Sequence, residues 1–492
     1  MAKDHSADLM QALVAKLYAE ITGNDGNIKI PRNKFVTWFR PGIPFVPDDF
    51  LFCSKGLIGS TAEQTQQLQH QAFVLSKLFD FVPDISNEFV DNKMQQSVFT
   101  STQDSISSVY RDILKYSRVV NLEPTPDQAK KLKKYRDLMS VTKEVEDIIT
   151  GAKKQVTEPG PITLAYTAKM NDYIDAADEY MNLLIDAQSA KGSDPEAIRR
   201  VAAWTNKSKF IRKKMEAAEM AWTSQGYKNE YEQMNAFINQ ITQRSMVLYK
   251  EDLLRKFNSA LLTSTNEGTA GDFYYTTLLP GNFATSPGWV NFTFYDQDYE
   301  THFNKSTSQW GGSAGVNFGL FSIGGGASGS KEQIDTNRKA TKFRASLSFT
   351  QVPICRPFMD PGMFSMHGWT LDKLWDLNFS GKKVSDGTAN PKGRLVAYPI
   401  TALFVKDVVF TFDEWDSQSN YVKSQVSGGG SVGWGPFHVG GSYSHGKERR
   451  DAHFHTEGGS VKIDGMQLIG VINNIVPKSP DPNPEIKDNQ FV

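Results

Sequence analysis

Four histidines near the C-terminal end of the chain are the side chains there that are best suited to chemistry: His438, His445, His453 and His455. His453 and His455 are two residues apart, so on a β-strand both imidazoles lie on one face and could bind a metal ion. The alternative is that these two histidines are solvated side chains on a strand face and bind no metal. The group of four is also typical of a pH sensor, because imidazole titrates near neutral pH. We predict a pH sensor at these positions and no metal site.

A glycine-rich run beside these histidines has the spacing of a phosphate-binding loop without its chemistry. Gly441 and Gly446 precede Lys447, but Glu448 stands where such a loop needs Ser or Thr to hold magnesium. The sequence contains no Gly-x-Ser-x-Gly elbow and no His-Glu-x-x-His pair. We therefore predict no catalytic residues, no cofactor and no enzyme. The enzymatic alternative is an active site in a cleft between domains.

The same glycine-rich run is one copy of a repeat. Residues 319–332 read GLFSIGGGASGSKE and residues 435–448 read GPFHVGGSYSHGKE, an alignment without gaps. Two copies of one unit indicate an internal duplication. Gly319-Leu320 and Gly435-Pro436 are each suited to the centre of a type II′ turn, which favours glycine first. Each copy is therefore predicted to be a β-hairpin.

Counting outward from each turn separates the residues of the hairpins into two faces. One face is apolar and the other carries Ser, Gly, Gln and Asn. In the first hairpin the apolar face includes Trp310, Val316, Phe318, Phe321 and Ile323, and in the second it includes Val432, Trp434, Phe437 and Val439. This counting places Phe318 opposite Phe321 and Val316 opposite Ile323.

The charge pattern gives these hairpins a length. No charged residue occurs between Lys305 and Lys331 or between Lys423 and Lys447. Each strand of a hairpin then has about 12 residues, near the roughly 9–11 of a membrane-spanning β-strand. Several protomers would have to close a barrel together, because open strand edges are not tolerated in lipid. The alternative is a soluble β-sandwich, in which one face of a sheet packs on a core.

A short segment before the first hairpin resembles the signature of the membrane-attack-complex/perforin family. It consists of Tyr299-Glu-Thr-His-Phe303 followed by Gly311-Gly312, with Glu300 at a place usually held by glycine. The family deploys two insertion hairpins per protomer, so the resemblance implies an analogous architecture at residues 306–330 and 424–446.

Composition excludes several classes of protein. The formal net charge of −1 argues against a nucleic-acid partner, which normally requires a basic excess. No apolar run is long enough for a transmembrane helix, and the charged N-terminal segment does not resemble a secretory signal. Cys53 and Cys355 are predicted to be reduced thiols. We expect synthesis in the cytoplasm, followed by release or export along a non-classical route.

The pattern of apolar residues changes near residue 265. We predict an α+β multidomain chain with a helical bundle over 1–265 and a duplicated all-β domain over 270–475. The repeat units of the β domain span about 290–356 and 406–472. A Pro-rich flexible tail is predicted over 476–492. Within the first domain, Thr61 is predicted to begin a helix that turns Leu68, Ala72, Leu75 and Phe79 to one side.

The leading functional hypothesis is a pore-forming, toxin-like protein that forms a homo-oligomer on a target membrane or membrane receptor and inserts both hairpins. The competing hypothesis is a self-assembling structural or interaction protein with a soluble β-sandwich and a helical scaffold. Packing of the hairpins discriminates between them. An apolar face fixed in a two-sheet core favours the structural hypothesis, and loose packing under a helix or against another protomer favours insertion.

Overall fold

The computed structural model describes most of the chain. The described residues are 5–22, 33–83, 96–99, 104–121, 126–146, 153–189, 195–264, 271–299, 301–302, 320–323, 343–379, 383–388, 391–412, 431–445, 448–457 and 460–492.

Helices and strands are interspersed along the described residues. The helices are α1 (His5–Ile21), α2 (Leu51–Lys55), α3 (Ala62–Phe79), α4 (Ile106–Tyr116), α5 (Pro126–Met139), α6 (Pro161–Ser189), α7 (Pro195–Ser224), α8 (Lys228–Arg244), α9 (Met246–Ser259) and α10 (Lys373–Phe379). The strands of the first half are β1 (Lys34–Phe45), β2 (Gln96–Val98), β3 (Ser117–Val119), β4 (Ser140–Glu146), β5 (Lys153–Pro159) and β6 (Leu261–Ser264). The later strands are β7 (Gly271–Tyr274), β8 (Thr277–Leu278), β9 (Val290–Phe294), β10 (Leu320–Ile323), β11 (Phe343–Cys355), β12 (Trp369–Leu371), β13 (Ala397–Phe412), β14 (Ser431–Trp434), β15 (Phe437–His445), β16 (Glu448–Ala452), β17 (Phe454–Glu457) and β18 (Ser460–Ile475). The predicted mixed α+β class is confirmed.

The chain forms two compact units. The sheet unit comprises Met1–Arg118 and Asp252–Lys487, and the helical unit comprises Val119–Glu251 and Asp488–Val492. These boundaries do not coincide with the division predicted at residue 265. The first 118 residues belong with the later strands because β1 pairs with β18 along most of its length. A Pro-rich strand such as β1 gives no helical or alternating pattern from which this pairing could be read.

The sheet unit is built on one large sheet with the strand order β2-β1-β18-β13-β11-β8, to which β17 and β9 also pair. Its three longest strands are β18, β13 and β11, and they lie side by side in antiparallel pairs. In β18, the neighbours Leu468 and Ile469 are both fully buried and face opposite sides of the sheet. Both faces of the sheet are therefore covered.

Different elements cover the two faces. One core contains Ile469 together with Leu13 of α1, and the other contains Leu468 together with Leu75 of α3. A second sheet, with the order β10-β14-β15-β16, contributes Trp434 to the first core. One side of the large sheet is thus covered by α1 and the second sheet, and the other side is covered by α3.

Helix α3 shows how local sequence sets this packing. The Thr61 hydroxyl accepts a hydrogen bond from the Gln64 N–H (3.2 Å), which satisfies one of the free donors at the helix start. The residues predicted to share one side are all buried: Leu68, Ala72, Leu75 and Phe79. The predicted start of this helix at Thr61 is confirmed.

The C-terminal segment is packed in the structure, although its composition predicts a flexible tail. In the sheet unit, Val476 and Ser479 are buried. Ser479 and Ser385 exchange backbone hydrogen bonds of 2.9 and 3.1 Å. In the helical unit, Phe491 is buried and forms a β-bridge with Val120. Backbone pairing with distant segments orders a sequence whose own composition is polar and rich in proline.

The helical unit contains α5, α6, α7 and α8 together with an antiparallel hairpin of β4 and β5. The helices α6 and α7, called the α6–α7 pair below, have 29 and 30 residues. Tyr166 and Tyr173 of α6 pack on Trp222 of α7, with ring centroids 5.3 and 5.6 Å apart. Tyr180 packs on Trp204 at 5.4 Å. Three tyrosines at seven-residue spacing thus form the contact line of this pair.

Candidate functional site

The second glycine-rich repeat forms a hairpin of β14 and β15 joined at Gly435 and Pro436. Trp434 lies opposite Phe437. Gly435 has a φ of +57°, in the left-handed region that favours glycine. Proline then supplies the fixed negative φ of the next turn position. The sequence of this turn therefore matches its backbone conformation.

Beyond the turn, the register of this hairpin includes one extra residue on β15. Gly433 lies opposite His438, but Val432 lies opposite Gly440. Simple counting from the turn would place Val432 opposite Val439. The extra residue, Val439, forms a β-bulge, which turns the strand and disturbs the strict separation of the two faces.

Both faces of this hairpin near its turn are buried. The residues predicted to contact lipid are at most 2% exposed, and they are Val432, Trp434, Phe437 and Val439. The ring of Phe410 lies 5.0 Å from that of Trp434 and 5.3 Å from that of Phe437, measured between centroids. Phe343 lies 5.2 Å from Trp434. In this structure the apolar side chains thus form part of the core between the two sheets.

The first repeat is described only over β10. Leu320 lies opposite Trp434, Phe321 opposite Gly433 and Ile323 opposite Ser431. These pairings join the first repeat to the second. The partners expected within the first hairpin, Val316 and Phe318, lie outside the described residues. The same is true of Trp310 and of the turn residue Gly319.

His438 lies at the centre of the buried hairpin and is fully inaccessible to solvent. Neither ring nitrogen makes a hydrogen bond of good geometry to the described part of the chain. Burial lowers the pKa of His438 to about 4, against smaller opposing contributions from nearby backbone groups of Gly440, Gly42 and Gly441 and from Asp451. The imidazole is therefore neutral at pH 7.

Gln467 of β18 fastens the backbone of His438 to the large sheet. The His438 N–H donates to Gln467 Oε1 (2.9 Å), and Gln467 Nε2 donates to the His438 carbonyl (2.6 Å). Both residues are buried. This pair of hydrogen bonds is strong, because breaking it leaves four buried polar groups without partners: the N–H and C=O of His438 and both ends of the Gln467 amide.

A second contact holds the turn itself. The Gly42 N–H donates to the Pro436 carbonyl at 2.8 Å. A Cβ atom at Gly42 would lie 2.6 Å from that carbonyl oxygen, so only glycine allows this approach. Sequence reasoning missed both Gly42 and the role of Gln467. The available signal for Gln467 was that a glutamine follows each repeat. The glutamine after the first repeat, Gln351, also donates a hydrogen bond to a backbone carbonyl, that of Ile21 (3.0 Å).

The four predicted histidines do not form one site in the described structure. His438 is buried, whereas His453 and His455 are exposed. His455 Nδ1 lies 3.2 Å from Asp464 Oδ1. The side chain of His445 lies outside the described residues. Throughout the described ranges there is no cluster of three or more His, Cys, Asp or Glu residues suited to a metal ion.

The α6–α7 pair is a second candidate region, because it leaves large apolar side chains in solvent. Ile174, Met181 and Ile185 of α6 are 43%, 48% and 54% exposed. In α7, Phe210 is 75% exposed and Met220 is 66% exposed. Two helices with this much exposed apolar surface are typical of an interaction site.

No protein-family model, curated protein or solved structure matches this chain. The resemblance of residues 299–312 to the membrane-attack-complex/perforin signature therefore gains no further support. None of the helices described combines the length and the apolar character required of a membrane span.

Proposed function

We propose that this chain is a self-assembling structural or interaction protein, with the sheet unit as a stable platform and the α6–α7 pair as an assembly surface. The burial of Trp434 and Phe437 between two sheets is the observation that carries this proposal. Removing a large aromatic side chain from a core costs about 3–5 kcal/mol. A hairpin fixed in this way favours a permanent structural role.

The exposed apolar residues of the α6–α7 pair support the same function. Each of the two helices already covers one side of the other through the tyrosine and tryptophan contacts. Ile174 and Phe210 remain exposed. Covering such side chains against another protein releases water from their surface, at about 25 cal/mol per Å² of apolar area.

Self-assembly is tested with the purified full-length protein by sedimentation velocity over a wide dilution series. We expect a concentration-dependent shift from a single-chain species to a larger species of defined size. A single-chain species at every concentration would contradict the proposal.

Pore formation is the second candidate, and His438 is the observation that favours it. A buried imidazole without good partners lies in a predicted inserting hairpin, and a charged imidazole is poorly tolerated there. Acid would favour any state in which the hairpin leaves the core, because the exposed imidazole can then be protonated. The target would be a membrane or a membrane receptor.

This second function predicts dye leakage from liposomes treated with the protein at about pH 5, with little leakage at neutral pH. Leakage together with a ring-sized oligomer would support pore formation. Absence of leakage from neutral and anionic vesicles at both pH values, with and without limited proteolysis, would contradict it.

A further inference from the structure

The charges of the α6–α7 pair are segregated between its two helices. Helix α6 carries five acidic residues and one lysine, which gives a net charge of −4. Helix α7 carries seven basic and three acidic residues, which gives +4. All seven basic residues lie within 199–214, a stretch without any acid. One helix is therefore an acidic surface and its neighbour is a basic one.

On α6 the acidic and the exposed apolar residues share a face. Ile174, Asp178, Met181 and Ile185 are spaced by four, three and four residues, so they form one stripe along the helix. All four are exposed. Tyr173 and Tyr180, which contact α7, each lie one position before a residue of this stripe and therefore point about a quarter-turn away. The stripe is thus separate from the internal contact of the pair.

On α7 a matching face is basic and apolar. Lys209 and Lys213 are four residues apart, and Met220 follows seven residues later on the same side. These three side chains are exposed. Among the described residues, neither Lys209 nor Lys213 has an ion-pair partner, and neither has Asp178. The pair's own ion pair is formed elsewhere, by Lys214 Nζ and Glu179 Oε2 at 2.6 Å.

We infer that the α6–α7 pair is a docking surface for further copies of this chain, with the acidic face of α6 in one copy on the basic face of α7 in the next. This inference rests on the proposed self-assembly and names its surface. Lys213 lies nine residues after Trp204 and Asp178 five after Tyr173, so both charged faces point away from the contact between α6 and α7. Faces that point in opposite directions fit a head-to-tail arrangement, in which each copy contacts two neighbours. The apolar stripe and Met220 supply the area removed from water, and the charges fix which helix meets which.

The test uses two charge-reversal variants of the full-length chain. The first carries Asp178→Lys on α6, and the second carries Lys209→Glu and Lys213→Glu on α7. Each variant alone places like charges across every contact between copies. We expect the dissociation constant of each variant to rise at least about tenfold, because like charges facing each other are destabilising. Sedimentation velocity measures this constant.

Mixing the two variants is expected to restore association. Where the two variants alternate, the reversed α6 of one chain meets the reversed α7 of the next, and the unaltered helices also meet with opposite charges. A chain that carries all three substitutions should likewise associate with itself. Circular dichroism of each variant provides the folding control. Raised salt should weaken self-association of the wild type, because exposed charges are screened.

The outcomes separate this inference from the proposed function. Self-association of the wild type that is unchanged in both variants would overturn the inference and leave self-assembly intact. Weakened association in each variant without recovery in the mixture would also overturn it. A wild type without self-association contradicts both. Binding of the wild type to anionic vesicles in place of self-association would assign the basic face of α7 to a lipid surface and overturn the inference.

Discussion

The Phe437→Asp substitution is expected to unfold the sheet unit. Phe437 is fully buried beside Phe410 and belongs to the core between the two sheets. Loss of the ring costs about 3–5 kcal/mol, and burial of a carboxylate without a partner adds several more. The sum is comparable with the whole free energy of unfolding of a typical domain, about 5–15 kcal/mol. Urea unfolding followed by tryptophan fluorescence measures the loss.

Two controls make this result specific. Leu377→Asp alters a 78% exposed leucine in the same unit, and we expect its free energy of unfolding to change by no more than about 0.5 kcal/mol. Phe437→Leu keeps an apolar side chain and should cost far less than the aspartate. A Phe437→Asp protein, alone or combined with Phe321→Asp, that stays folded but no longer permeabilises liposomes would contradict a core role and support insertion.

Acid is expected to destabilise the sheet unit through His438. Its pKa in the folded protein is about 4, below the ordinary value of 6.5. Between these values the unfolded chain binds a proton that the folded chain does not, so stability falls as the pH decreases from about 6.5 to about 4. From pH 7 to pH 5 the predicted loss is about 2 kcal/mol. Tyr443 and Asp451 are the other titratable groups near the ring.

Urea unfolding at several pH values measures this dependence. His438→Leu should remove most of the acid-dependent loss and keep near-neutral stability, because the imidazole nitrogens have no well-formed hydrogen bonds that the leucine would lose. His455→Gln alters an exposed histidine and should leave the pH dependence nearly unchanged. An equal acid-dependent loss in the wild type and in His438→Leu would show that other groups are responsible.

Local sequence signals were sufficient where the structure depends on neighbouring residues. Thr61 begins α3 because its hydroxyl needs only the N–H of Gln64, three residues away. A glycine followed by proline likewise specifies a turn from its own backbone preferences, as at Gly435 and Pro436. The mixed α+β class follows from many such local patterns.

The candidate site depends on distant residues, and the sequence did not reveal these. An apolar face on a strand has the same pattern whether lipid or another sheet covers it, so Trp434 and Phe437 gave no sign of Phe343 and Phe410 above them. The bulge at Val439 and the Gln467 contact to His438 also require the partner strand to be known. The surface of α7 was obscured for a different reason, since its charges cancel those of α6 in the overall composition.

The place of β18 in the large sheet has a consequence for synthesis of the protein on the ribosome. Lys34 of β1 pairs with Asn474 of β18. One of the earliest strands can therefore pair only after one of the last has been synthesised. Most of the helical unit lies within 119–251 and is synthesised long before that, and only its segment 488–492 follows β18. It can fold while β1 and α1 still expose apolar surface, and contacts between such distant segments form slowly. We therefore expect the nascent sheet unit to depend on chaperones more than the helical unit does.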